Sequence, residues 1–270
     1  MTFDYHAYLD CFLSGDDEAL VARFFAEDCE MRSASGVRRG LEGMREFLGW
    51  AHDGVRECPR LQHYVQDDRT VFADIDMDFH AVKHRPDFPF GELHPGDSLT
   101  VKFLARYDLD ADGKVKVLTT AAWPASVGVT VLPPLGGHPS QLAAYHAYAA
   151  AFSNGDPARY TRFYTPDVVL ELGSVPKIEG AEGIAAFYTA MFRTVRETLT
   201  IHDLDANDER IVVDCTSRFT AVADAPDFVV AALAKGDFVE VGVKVTYQLR
   251  DGLIHHIGVE RLRPPVVTRA

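Results

Sequence analysis

Hydrophobic positions along the chain recur first with a helical period and then with an alternating one. Residues 4–13 place Tyr5, Tyr8, Leu9, Phe12 and Leu13 at helical spacing. Ser14-Gly15-Asp16 breaks that helix, and Asp16 can cap a second one whose inward stripe is Leu20, Val21, Phe24 and Phe25. A short strand is expected over 29–35, then a third helix over 40–51 with Leu41, Met44, Phe47, Leu48 and Ala51 on one face. After Pro59 the period falls to two. A short strand is expected over 61–65 and a long one over 70–81, with Val71, Ala73, Ile75, Met77 and Phe79 against Asp74, Asp76, Asp78 and His80. Residues 99–109 alternate as cleanly, Asp110-Ala111-Asp112-Gly113 is a hairpin turn, and 114–123 is its return strand. Pro133-Pro134-Leu135-Gly136-Gly137 reads as a linker.

The whole order then repeats. Tyr5-His6-Ala7-Tyr8 returns as Tyr145-His146-Ala147-Tyr148, 140 residues later (145 − 5). The same offset carries Gly15-Asp16 onto Gly155-Asp156, Asp74 onto Asp214, Phe79 onto Phe219 and Tyr107 onto Tyr247. A repeat of domain size predicts two copies of one small domain, at 1–132 and 138–263, with a linker at 133–137 and a tail at 264–270. Helices followed by an antiparallel sheet with one apolar face belong to the α+β class. The expected architecture is two tandem cone-shaped α+β barrels, each with three N-terminal helices packed on a curved antiparallel sheet.

Composition narrows the partners. With 47% hydrophobic and 25% charged residues and no low-complexity tract, the chain reads as a soluble globular protein. A net charge of −13 argues against nucleic acid and anionic membrane. The N-terminus lacks the pattern of a signal peptide, and no apolar run is long enough to span a bilayer. Cys11, Cys29, Cys58 and Cys215 lack metal-ligand spacing, so a reduced, cytoplasmic protein is expected. There is no phosphate-binding glycine loop and no zinc pattern, so neither cofactor nor metal is expected. The stripe Asp74, Asp76, Asp78 and His80 is better explained by cross-strand ion pairs with Lys102 and Arg106 than by a metal. Asp78 and its counterpart Arg218 suit contact across an intramolecular pseudo-dimer, a homodimer of the chain being the other arrangement.

The helix-one pattern, Phe25-Ala26-Glu27-Asp28 leading into a strand, and the closing Asp-Gly hairpin resemble the nuclear transport factor two-like superfamily in its SnoaL-like branch. That branch includes polyketide cyclases, ketosteroid isomerases and scytalone dehydratase. The resemblance implies a pocket role for Tyr8 and Tyr148, which stand where the isomerases keep an oxyanion-hole tyrosine. Ser33 and Leu172 stand where the isomerases keep their carboxylate base, which argues against that mechanism here. Gln62-His63-Tyr64 is similar to the dehydratase phrase whose histidine faces the pocket, which implies an acid/base role for His63. His202 follows in copy two at an offset of 139, and His80 or His84 stands for the second pocket histidine. The dehydratase's helix-one aspartate falls on Leu13. Trp50, Tyr64, Tyr107, Met31 and Trp123 are the expected lining of an aromatic cavity. The function so implied is a cofactor-independent acid/base lyase or isomerase, of dehydratase or cyclase type, on a hydrophobic, aromatic or polyketide-like small molecule. The alternative is a non-catalytic small-molecule-binding or assembly module of the same fold.

Overall fold

The computed structural model describes residues 3–123, 128–173 and 175–270. They form two compact units, 1–93 with 98–131 and 94–97 with 132–270. In copy one, α1 (Tyr5–Ser14) starts where the Asp4 carboxylate accepts the Ala7 amide at 3.0 Å. It ends at Gly15, whose φ of 74° is the left-handed conformation that glycine adopts without penalty. Asp16 caps α2 (Asp17–Phe24) by accepting the Ala19 amide at 2.9 Å, as its position predicts. A hairpin of β1 (Phe25–Ser33) and β2 (Gly36–Arg39) leads into α3 (Gly40–Ala51). The long strands β3 (Val55–Gln66), β4 (Thr70–Ala81), β5 (Ser98–Leu109) and β6 (Val115–Trp123) follow.

These strands lie in the order β2-β1-β6-β5-β4-β3, antiparallel throughout except for the parallel β1–β6 pair. The sheet is an open path from β2 to β3, so the expected barrel is a cone and not a closed ring. Its concave face carries Val71, Ala73, Ile75, Ala105 and Tyr107, packed against Tyr5, Tyr8, Leu20, Met44 and Leu48 of the helices. Two strands are longer than the alternation predicts. β1 begins at Phe25, and β3 begins at Val55 and runs through Pro59, which a strand at the sheet edge tolerates because no neighbour needs the missing N–H.

Copy two repeats the plan with α4 (Pro139–Ser153), a short α5 (Pro157–Tyr160) continued by a 3-10 turn, β7 (Tyr164–Glu171), β8 (Ile178–Glu179) and α6 (Ala181–Met191). Its sheet is completed by β9 (Val195–Ala206), β10 (Arg210–Ala221), β11 (Phe238–Arg250) and β12 (Leu253–Arg261). Asp251 and Gly252, with φ of 53° and 75°, make the tight two-residue hairpin that joins β11 to β12. The supposed linker and tail are parts of this copy. Leu135 is 1% exposed in its core, and its amide bonds the Gly252 carbonyl at 3.1 Å. The tail forms β13 (Val266–Thr268) on β11, and Asp237 accepts the Arg269 guanidinium and the Ala270 amide. Among the described residues no helix is long and apolar enough to cross a membrane.

One irregularity in the register decides where several side chains point. In β3, Leu61 pairs with Ile75 and His63 with Asp74, leaving Gln62 as the extra residue of a bulge. In β9, Ile201 pairs with Cys215 and Asp203 with Asp214, leaving His202 as the extra residue. The 140-residue offset therefore holds through the bulge. His202 is the counterpart of Gln62 and not of His63, which corrects the offset of 139.

Candidate active site

The cone of copy one encloses a cavity of about 390 Å³. Most of its wall is apolar: Phe12, Met31, Met44, Phe47, Ile75, Met77 and Phe103 among others. Its polar groups are few, chiefly Tyr8 from α1, Tyr107 from β5 and the carboxylate of Glu57 from β3. Such a wall, apolar with a few placed polar groups, is the usual make-up of a small-molecule site.

Glu57 is the carboxylate the chain appeared to lack. It stands near the start of β3, opposite Phe79, and is half-buried. Behind it lies His52, the residue that ends α3, with Nε2 3.8 Å from a Glu57 carboxylate oxygen. The other ring nitrogen, Nδ1, lies 2.9 Å from both carboxylate oxygens of Asp17, the first residue of α2. Burial acts to lower the pKa of His52, but the Glu57 and Asp17 carboxylates outweigh it and hold the imidazole above its ordinary value. The result is a line of Asp17, His52 and Glu57 in which an imidazole sits between two carboxylates.

A tyrosine cluster lies in the same cone. The Tyr5 hydroxyl donates to the Tyr107 oxygen at 3.4 Å, and Tyr8 is also hydrogen-bonded to Tyr107. Burial pushes Tyr8 well above the ordinary tyrosine value. Tyr107 is raised by burial too, although the hydrogen bonds from Tyr5 and Tyr8 oppose the shift. All three remain neutral donors at ordinary pH. With the Tyr5 hydroxyl already donating to it, Tyr107 keeps its own O–H for another acceptor.

The rim is braced by a third group. Trp50 Nε1 donates to Asp87 at 2.9 Å, and Arg85, 4% exposed, holds both oxygens of the same carboxylate. Arg85 also donates to the Asp53 carbonyl at 2.8 Å and stacks over the Trp50 ring at 5.3 Å. This fixes the loop that presents Phe88 and Phe90 to the cavity. The Arg85 guanidinium holds the Asp87 carboxyl well below the usual carboxylate range.

Copy two has a smaller cavity, about 140 Å³, lined by Tyr148, Tyr164, Tyr188, Tyr247, Glu197 and Ser217 among apolar side chains. Glu197 is the repeat counterpart of Glu57, but its surroundings differ. Phe192 stands in place of His52 and Pro157 in place of Asp17. Among the described residues Glu197 is therefore buried without a charge partner, and burial raises it to about 7 against the opposing hydrogen bond of Ser217.

The residues singled out from sequence divide cleanly. Tyr8, Met31, Trp50 and Tyr107 line the first cavity and Tyr148 the second. Ser33 and Leu172 line them as well, without a carboxylate. His63 is exposed on the outer face opposite Asp74, because the bulge at Gln62 turns it away from the cone. Tyr64 lies on the edge strand, 39% exposed, with its ring against Tyr5 and His6. His202 is exposed at its bulge, Nε2 on the Thr216 hydroxyl at 2.8 Å. His80 is buried on the outer face, where its ring bonds Ser98 at 2.7 Å and burial lowers it to about 4. Trp123 is 46% exposed at the end of β6. The acidic stripe does form cross-strand pairs: Lys102 holds Asp74 at 2.5 Å and Asp76 at 2.9 Å. Asp78 is held by Arg60 at 2.6 Å, and Arg106 instead pairs with Asp108. The signal that could have found Glu57 was present in the repeat, since a glutamate recurs at 57 and 197. It was hidden because the first six residues of β3 lack clean alternation.

Fold and cavity together define a duplicated α+β cone protein with a largely apolar pocket in each copy. The chain belongs to the SnoaL-like domain family, whose model matches residues 5–118 and again 145–257. A comparison with curated proteins finds no match. Among solved structures it is similar to a candidate polyketide cyclase from Pseudomonas putida KT2440, at 24% identity and a TM-score of 0.38 over 43% of this chain and 86% of that one. It is also similar to an epoxide hydrolase of the LEH-like type from M. tuberculosis, at 18% identity and a TM-score of 0.36 over 43% and 78%. A third is SalBIII, an epoxide hydrolase/cyclase-like enzyme of pyran ring formation in salinomycin, at 17% identity and a TM-score of 0.37 over 47% and 92%.

Proposed function

We propose that copy one is a cofactor-independent acid/base lyase or isomerase acting on a hydrophobic small molecule, with Glu57 as its base. The observation that carries this reading is a single carboxylate opening into a 390 Å³ apolar cavity and backed by the His52–Asp17 pair. The role first given to His63 passes to Glu57, because a base must reach the proton it removes. Glu57 takes a proton from the carbon beside a substrate carbonyl, and the C–H electron pair moves into an enolate. The Tyr107 hydroxyl donates to the developing oxyanion, with Tyr5 polarising it from behind. Glu57 then returns the proton to another carbon, which is isomerisation, or gives it to a departing hydroxyl, which leaves as water. His52 is a positioning residue that stands behind the Glu57 carboxylate. Trp50 and the Phe88–Phe90 loop close the apolar end around the ligand.

The test needs no knowledge of the product. Bicyclic and aromatic ketones are incubated with the chain in heavy water, and deuterium uptake beside the carbonyl is followed by NMR. Glu57→Gln should lower the exchange rate by roughly 100- to 10,000-fold while ligand quenching of Trp50 is retained. Ligand binding by the unaltered chain without any exchange supports the non-catalytic binding module instead.

A further inference from the structure

The second cavity has a chemistry of its own. Glu197, Ser217 and Tyr188 bring a carboxyl and two hydroxyls to one small apolar space. Glu197 is 7% exposed, Ser217 5% and Tyr188 8%, so these groups are withdrawn from water. Copy one offers its ligand a carboxylate faced by an imidazole, whereas copy two offers a carboxyl with Phe192 and Pro157 where the imidazole and its aspartate would be. A carboxyl so placed avoids the cost of a buried charge by holding its proton. Below about pH 7, while it holds that proton, it acts as a hydrogen-bond donor and not as a base. Among the described residues the one cation in the wall is Arg261, exposed at the end of β12, so an anionic ligand would meet no buried positive charge there.

We propose that the copy-two cavity is a separate binding site for an uncharged, single-ring carbonyl compound, held by a hydrogen bond from the Glu197 carboxyl to its carbonyl oxygen. Size sets the ring count: an apolar cavity of about 150 Å³ is known to hold one benzene ring, and this one measures about 140 Å³. The larger cavity of copy one suits a larger molecule, so the two sites differ in both size and charge preference. The proposal does not depend on copy one being a catalyst.

The groups around Glu197 leave it as the one that titrates in the neutral range. Tyr188 from α6, Tyr148 from α4, Tyr164 from β7 and Tyr247 from β11 are all pushed well above the ordinary tyrosine value by burial. Cys215 on β10 is raised to about 11, also by burial. Ser217 carries no charge.

The intact chain is titrated with acetophenone while the amide resonances of Ser217 and Val243 report on copy two. Saturable shifts are expected, with affinity falling by roughly 30-fold from about pH 6 to about pH 8.5 as the carboxyl loses its proton. Glu197→Gln, which keeps a donor but cannot titrate, should bind with little pH dependence. Val243→Phe, which fills the cavity, should abolish the shifts, and amide signals elsewhere in β11 show whether that variant is folded. The proposal is overturned by shifts that never saturate, by pH dependence that persists in Glu197→Gln, or by tighter binding of benzoate than of acetophenone at both pH values.

Discussion

Replacing Glu197 by glutamine isolates one titration from every other in the chain. The carboxyl is raised from an ordinary 4.5 to about 7 in the folded state, chiefly by burial. Below about pH 4.5 both folded and unfolded chains hold the proton, and the group costs nothing. As pH rises from there, the unfolded chain releases its proton first, so the folded state binds more protons and loses stability. The loss is complete above about pH 7 and amounts to about 3 kcal/mol, at 1.36 kcal/mol for each pKa unit. A glutamine of nearly the same shape removes this dependence. Because two linked domains need not unfold as one, the measurement is native-state hydrogen exchange at core amides of copy two, such as Val213, Val243 and Val245. Comparing the two proteins at matched pH cancels the intrinsic exchange rate. The variant's protection relative to the original should rise by about two orders of magnitude between about pH 5 and about pH 8. A ratio that stays flat across that range would mean Glu197 is solvated or charge-paired, and would refute the reasoning.

His52→Phe, which gives copy one the residue of copy two, should cost on the order of 1–2 kcal/mol in acid, because both carboxylates lose their cation. Since the folded value of His52 is raised, that difference is full below about pH 6.5 and fades as pH climbs through the folded value; denaturation at several pH values checks it. Arg85→Ala should leave the carbonyls of Ala51 and Asp53 without their donor and speed amide exchange over 85–93 by about 10- to 100-fold. Asp16→Ala removes the cap of α2 and should lower stability by about 1 kcal/mol, with no change in ligand quenching of Trp50.

The parts of the fold legible from sequence were those with a clean period. The span of β4 and the Asp16 cap follow directly from spacing, and the repeat carried the whole plan to copy two. β3 was legible only in its second half, because Pro59 and the charged residues Arg56, Glu57 and Arg60 break the alternation on an edge strand. That gap concealed Glu57. His63 failed for a related reason: a bulge is a three-dimensional event, and simple counting along the strand assigns the wrong face beyond it. The tyrosines fared better because a helix face is readable from spacing, and Tyr8 and Tyr148 both reach their cavities. The His52–Asp17 pair joins the end of one helix to the start of another, 35 residues apart, and no local pattern announces it.

The internal repeat also lets the features be placed in time. The bulge occurs at the same point of β3 and β9 although its residue is glutamine in one and histidine in the other. A glutamate stands at the cavity in both copies. The simplest history that gives both halves the extra residue and the cavity carboxylate places them before the duplication. The imidazole with its aspartate, present beside Glu57 and replaced beside Glu197, marks where the two lineages parted. A chain rebuilt as two identical halves, one version with His and Asp in both and one with Phe and Pro in both, would show whether the cone tolerates either state in both copies at once.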